Sequence, residues 1–320
     1  MTLAATDPDR IDSLPTVARD LLSLSDLDGP TIQELLDLAT IIKSDPRAFT
    51  NALSGRSVAL IFEKPSLRTR ASLEVGLHRL GAQSVVFDQR DSPLGARESI
   101  HDLGRNLERW FDLVAARVHR HGVLETLADA CDVPVLNTLS DLHHPCQALA
   151  DLLSLHERGI DPARSRVAFI GDGNNVCRSF VHGIVSLGGT IVVVSPPEHG
   201  PCDDLRAWAE TTGVATGGVL ETTNDPRAVS NCAAVYTDTW ISMGESDSTR
   251  KRDALRPYRV DSELMTIAAP GAVFMHCLPA HRGEEVVDEV IDGPDSIVFD
   301  QAENRLHAQN AWILSALSSS

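Results

Sequence analysis

The chain has 320 residues, 42% of them hydrophobic, with 28 basic and 45 acidic side chains and a formal charge of −17. That length predicts two domains of roughly 150 residues each. The acidic balance excludes non-specific nucleic-acid binding, which needs a basic footprint, and requires any anionic ligand to be held by a local cationic cluster. No run reaches the roughly 20 apolar residues of a membrane span. Residues 1–14 carry three Asp and no apolar stretch, unlike a signal peptide. Six cysteines, none in a C-x-x-C pair, fit reduced thiols in a cytoplasmic protein.

In chain order, residues 31–42 predict a helix. The apolar run 57–62 predicts a buried strand, broken by Glu63, Lys64 and Pro65. Ser66 is placed to cap a helix with Leu73, Leu77 and Leu80 on its apolar side, and Gly81 to end it. Strands are expected at 83–87, 112–118 and 133–137, with a helix at 123–130. A helical pattern follows at 144–159. The alternation then restarts, with strands at 166–170, 190–195, 234–237, 272–276 and 296–299. Helices reach 187 and 211, and a last one covers 304–317. This alternation predicts an α/β fold of two doubly wound parallel-sheet domains. Ligands of such sheets bind beyond the carboxyl ends of the strands, so a shared interdomain active-site cleft is expected. The expected boundaries are 1–145 and 146–303, with 304–320 a C-terminal helix packing back on the first domain.

Polar clusters follow several of these strands. Ser66-Leu67-Arg68-Thr69-Arg70 opens a helix, where unpaired N–H groups, hydroxyls and guanidinium forks suit a phosphate; basic residues are unfavourable there unless an anion compensates them. His143-His144-Pro145-Cys146-Gln147 offers groups able to bond a carbonyl oxygen and an amide, with a loop histidine as the equal alternative. A zinc site there lacks its second pair of ligands. Gly171-Asp172-Gly173-Asn174-Asn175 begins like a dinucleotide turn, but position 176 is Val and Ser195 stands where a ribose-binding acid would be. A nicotinamide enzyme is thereby disfavoured, and the two Asn suit a carboxylate or amide ligand. Asp238 and Ser242 can both address an ammonium group, with a turn capped by Asp238 as the alternative. Cys277, at another strand end, is by itself an ordinary small buried residue. Glu303-Asn304-Arg305 adds one more possible anion contact.

Taken in order, these segments resemble the aspartate/ornithine transcarbamylase family on its ornithine branch. The likeness runs through F-E-K-P-S-L-R-T-R at 62–70, L-G-A-R-E-S at 94–99, A-R-V at 116–118, H-P-C-Q at 144–147, G-D-G-N-N at 171–175, D-T-W-I-S-M-G at 238–244, H-C-L-P at 276–279 and A-E-N-R-L-H-A-Q at 302–309. The aspartate branch would lack the S-M-G and H-C-L-P segments. The resemblance implies transfer of a carbamoyl group from carbamoyl phosphate to the side-chain amine of L-ornithine, giving citrulline and phosphate, without metal or organic cofactor. It implies a first domain for carbamoyl phosphate and a second for ornithine. Ser66, Leu67, Arg68 and Thr69 would hold the phosphate, with Arg305 adding a contact. Arg117, His144 and Gln147 would hold the carbamoyl end, Arg117 and His144 polarising its carbonyl. Asn175 and the Met243 backbone would hold the ornithine carboxylate, and Asp238 and Ser242 its α-ammonium. Cys277 and the Leu278 carbonyl would lie beside the attacking nitrogen. Family members are trimers or multiples of trimers, so a homotrimeric unit is expected.

Two departures stand out. Leu67 occupies a slot where the family motif commonly has Thr, and Leu there also occurs in relatives that use N-acylated ornithine. The loop Asp91-Ser92-Pro93-Leu94 lacks a Gln that many relatives carry. The rival readings are therefore a carbamoyltransferase for another amine, such as an N-acylornithine, and a non-catalytic paralogue. An acylated α-nitrogen carries no charge for Asp238 to pair with, which argues against the first.

Overall fold

A computed structural model describes residues 14–241 and 248–318, and the structural statements below concern those residues. The chain divides into two compact units, residues 1–150 with 303–320, and residues 151–302.

The first unit contains α1 (Gly29–Ser44), β1 (Ser57–Phe62), α2 (Leu67–Leu80), β2 (Gln83–Asp88), α3 (Ile100–Leu107), β3 (Leu113–Arg117), α4 (His121–Ala130) and β4 (Val135–Leu139). The helix α5 (Pro145–Glu157) leads the chain from one unit into the other. The four strands are parallel in the order β2-β1-β3-β4. Strands covered on both faces by helices lose the alternation of a half-exposed sheet. Accordingly every residue of β1 after Ser57 is buried, as is all of β3. On one face Ala59, Ile61, Val114 and Ala116 pack with Leu107 of α3 and Leu124 and Leu127 of α4.

The second unit contains β5 (Arg166–Ile170), α6 (Asn175–Ser186), β6 (Thr190–Val194), α7 (Asp203–Thr216), β7 (Val219–Thr223), β8 (Ala234–Thr237), α8 (Thr249–Leu255), α9 (Ser262–Ile267), β9 (Val273–His276) and α10 (Asp288–Ile291). The last helix, α11 (Val298–Ser318), begins here, and from Glu303 onward it groups with the first unit. Its five strands are parallel in the order β7-β6-β5-β8-β9. One face buries Ala168, Ile170, Val192, Val194, Val235 and Phe274. Within the same unit, Tyr236 packs against Phe169 and Phe180 at ring-centroid distances of 5.0 and 5.1 Å.

Several elements differ from expectation, including the short helices α8, α9 and α10, which were not anticipated. The strand β7 was not anticipated because V-L-E-T-T lies at a sheet edge and buries almost nothing. The helix α3 escaped because its eight residues bury only Gly104 and Leu107. The strand expected at 296–299 shrinks to one bridge between Ser296 and Phe274. Helical bonding begins immediately afterwards, with Gln301 N–H donating to Ile297 O at 2.9 Å, so the last helix starts at Val298.

In both sheets the first strand of the unit lies inside, and the chain winds outward from it in both directions. The switch points fall between β1 and β3 and between β5 and β8. Loops leaving the carboxyl ends there are where a doubly wound sheet binds its ligands.

Candidate active site

In the first unit the site grows from the β1–α2 junction. Ser66 is extended, and its hydroxyl oxygen accepts the Thr69 N–H at 3.2 Å, capping α2. The first N–H groups of a helix have no intrahelical partner, so the turn Leu67–Arg68 presents donors and the positive end of the helix dipole. Leu67 is 81% exposed and brings a backbone N–H with no hydroxyl.

Behind that turn Thr69 is fully buried. Its hydroxyl oxygen accepts from Arg305 Nη2 at 2.9 Å and lies 3.5 Å from Arg117 Nη1. Arg117 ends β3 and Arg305 comes from α11; both are buried. Lys64 is buried nearby, and burial, with Arg117 next in weight, lowers its pKa. Burial, then Arg305 and Arg117, hold the His144 pKa well below its ordinary value, so the imidazole is neutral. Gln147, in the first turn of α5, is also buried. These cations are brought together out of water, an arrangement that favours an anion strongly.

Glu63 sits among them with a structural task. One carboxylate oxygen accepts the Leu94 N–H and the other the His119 N–H, each at 2.7 Å. Its own N–H donates to Arg117 O at 2.9 Å. It therefore ties the ends of β1 and β3 to the loop before α3. His143 is structural as well: its Nδ1 is 3.3 Å from Ser23 Oγ, and its ring meets His121 edge-on at 4.7 Å.

In the second unit Asn174 caps α6, its side-chain oxygen accepting from Val176 and Cys177 N–H. The amide nitrogen of the same side chain donates to Asp238 Oδ2 at 2.8 Å. Cys277 donates its thiol to Asp238 Oδ1 at 3.0 Å. The Asp238 carboxylate, at the end of β8, is thus held from both sides by neutral donors. Asn175 is the first residue of α6 and is partly exposed. Leu278 adopts a left-handed φ of 58° and donates its N–H to His276 Nδ1 at 2.9 Å. The other ring nitrogen of His276 lies 3.1 Å from Glu285 Oε1. Asp238, His276 and Cys277 place potential metal-ligand atoms within 4.8 Å of one another. Both His276 nitrogens are engaged, however, and the thiol bonds the carboxylate, so that geometry fits a hydrogen-bonded network.

The structure thus brings Thr69, Arg117 and Arg305 into direct contact within the first unit, with His144 under the field of both arginines. In the second unit it brings Asp238 and Cys277 together. Ser242 and Met243 lie outside the described residues. Sequence reasoning gave no role to Glu63, Lys64 or His276, and read Asn174 only as one of two Asn suited to a carboxylate or amide ligand. The Asn doublet at a helix start signals a cap, but nothing local says which Asn provides it. Glu63 and Lys64 were noted only as breaking a strand.

Two family models match. Residues 19–157 fit the carbamoyl-P binding domain of aspartate/ornithine carbamoyltransferase, and residues 163–316 its Asp/Orn binding domain. The ornithine carbamoyltransferase of Shewanella oneidensis is 43% identical over 302 residues, covering 94% of this chain and all of the relative. The anabolic ornithine carbamoyltransferase of Pyrococcus furiosus is 43% identical over 297 residues, 92% of this chain and 94% of that one. Among solved structures, ornithine carbamoyltransferase from P. furiosus superposes with a TM-score of 0.89 at 42% identity, covering 93% of this chain and 96% of that chain. That from Thermus thermophilus gives 0.85 at 41% identity, covering 94% and 100%.

Proposed function

The chain belongs to the aspartate/ornithine carbamoyltransferase family, and from that premise we propose that it transfers the carbamoyl group of carbamoyl phosphate to the side-chain amine of L-ornithine, yielding citrulline and phosphate. The observation that carries the choice of amine is Asp238, whose side-chain carboxylate is held by Asn174 and Cys277. An α-ammonium answers that charge; the second carboxylate of aspartate or an acylated nitrogen does not.

In this reading the first unit binds carbamoyl phosphate. The α2 N-terminus with Ser66, Leu67, Arg68 and Thr69 takes the phosphate, and Arg305 reinforces it. Arg117 and His144 donate to the carbonyl oxygen, and Gln147 accepts from the carbamoyl amide. A neutral His144 still donates an N–H while adding no further positive charge to a crowded site. The second unit binds ornithine: Asn175 and the Met243 backbone take the carboxylate, Asp238 and Ser242 the α-ammonium. The side-chain amine must lose its proton before it attacks. Cys277 and the Leu278 carbonyl position that nitrogen, and a site closed to water favours its neutral form. Attack on the carbonyl carbon puts negative charge on the oxygen, where Arg117 and His144 stabilise it. Collapse breaks the bond to phosphate, which leaves and accepts the amine's proton. Part of the proposal is that binding draws both ligands together and excludes water. The chemistry calls for neither metal nor organic cofactor.

The resemblance also supports a homotrimeric unit and a cytoplasmic setting; among the described residues no helix is long and apolar enough to cross a membrane. The test is a citrulline colour assay with carbamoyl phosphate and a panel of ornithine, N-acetylornithine, putrescine, lysine and aspartate. Ornithine should be used at least a hundredfold better than the rest. Equal or better use of N-acetylornithine would overturn the assignment of Asp238, and no product from any amine would leave a binding paralogue.

A further inference from the structure

Beyond the strand end that carries Cys277, the second unit holds another group of metal-ligating side chains that the transfer reaction leaves without a task. His281, Glu284 and Glu285 place one ligand atom each within 4.8 Å of one another. Glu285 is completely buried. Its Oε1 accepts the His281 N–H and faces His276 Nε2 at 3.1 Å. Its Oε2 is just as buried and has no hydrogen-bond partner. Leaving such an oxygen unsatisfied in the interior is costly.

His281 Nδ1 lies 3.8 Å from that oxygen. This separation is too long for a hydrogen bond. It is slightly longer than the roughly 3.3–3.6 Å between two ligands on one tetrahedral ion, whose metal–nitrogen and metal–oxygen distances are about 2.0–2.2 Å. Glu284 bonds Arg252 through Oε1, which leaves its second carboxylate oxygen for an ion. His281 and Glu284 are partly exposed, so an ion can enter from solvent. We propose that His281, Glu284 and Glu285 form a binding site for a transition-metal dication of the zinc class, with water completing its coordination.

This set differs from Asp238, His276 and Cys277 in the respect that matters. There each donor atom is already hydrogen-bonded to another protein group; here a buried carboxylate oxygen faces a ring nitrogen slightly beyond ligand spacing. The ion would also sit one residue contact from His276, which receives the Leu278 N–H. Filling the site therefore stiffens the turn that presents Leu278, without any part in the chemistry.

The experiment is zinc titration of the untagged, chelator-stripped full chain, by calorimetry or against a chromophoric chelator, together with X-ray absorption of the zinc-loaded protein. One equivalent should bind, with a purely nitrogen and oxygen first shell. His281→Ala and Glu284→Gln, both at partly exposed positions, should each weaken binding at least tenfold while circular dichroism stays unchanged. Cys277→Ser should bind as the parent does. A sulfur shell, loss of binding in Cys277→Ser, or equal binding by His281→Ala would overturn the proposal, as would no binding at all. Citrulline formation is measured separately, so failure here leaves the transfer reading standing.

Discussion

In the first unit Thr69 offers one neutral hydroxyl to two buried guanidinium groups, Arg305 and Arg117. In the second, each oxygen of the buried Asp238 carboxylate already receives a neutral donor, from Asn174 and from Cys277. The first arrangement gathers like charges, which an anion would relieve. The second is a finished hydrogen-bonded unit, proposed above as the partner of a cation. Binding at the first site should therefore contribute more to the stability of the fold, and binding at the second more to the choice of substrate.

The sharpest way to break this contrast is Arg117→Ala. Removing a donor to the developing oxyanion should lower kcat/KM by about 10³-fold, and a loss under tenfold in a steady-state assay would take Arg117 out of the chemistry. Next, Asp238→Asn should raise the KM for ornithine about 10²-fold, since a charge-assisted contact is lost. Calorimetry with carbamoyl phosphate should give an affinity within twofold of the parent; equal loss of both ligands would mean that Asp238 serves the fold and not the amine. Cys277→Ala should cost about tenfold in kcat/KM by depriving Asp238 of a donor, and Cys277→Ser should restore most of it. A serine variant no better than alanine would point to a different task for the thiol. Leu67→Thr, which adds a hydroxyl at the helix start, should tighten carbamoyl phosphate about threefold; no change would show that the backbone N–H alone suffices.

A further effect, on stability and not on catalysis, concerns acid. Burial lowers the pKa of His182 from 6.5 to about 3, and its ring packs on Trp208 at 4.3 Å. Below pH 6.5 the unfolded chain takes up a proton at this position that the folded chain refuses. Stability therefore falls as pH drops from 6.5 toward 3, by at most about 1.4 kcal/mol per pH unit for one group. His144, in the first unit, adds a slope of the same sign. Melting curves of His182→Phe between pH 7.5 and 5 should show a shallower decline than the parent, and parallel declines would remove His182 from the account.

Legibility in the sequence followed burial. The inner strands β1 and β5 announced themselves as unbroken apolar runs because helices cover both their faces, while β7, a polar edge strand, gave no such signal. The capped helix start at Ser66 was readable because cap, basic residues and helix start are neighbours in sequence. The contact of Thr69 with Arg305 was not: 236 positions separate them, and the residues around Arg305 offered only a possible anion contact until the family resemblance assigned it to carbamoyl phosphate. Nor could local pattern assign the cap to Asn174 in preference to Asn175. The neutral state of His144 follows from burial and two distant arginines, which no residue string displays.

The grouping of α11 from Glu303 onward with the first unit has a consequence for biosynthesis. Domains generally fold in the order in which the ribosome delivers them, and residues up to 150 emerge first. Thr69 must nevertheless wait for Arg305, after the whole second unit has been translated. A nascent chain can thus assemble its first sheet early, yet on the proposed reading its carbamoyl-phosphate site stays incomplete until synthesis has passed Arg305.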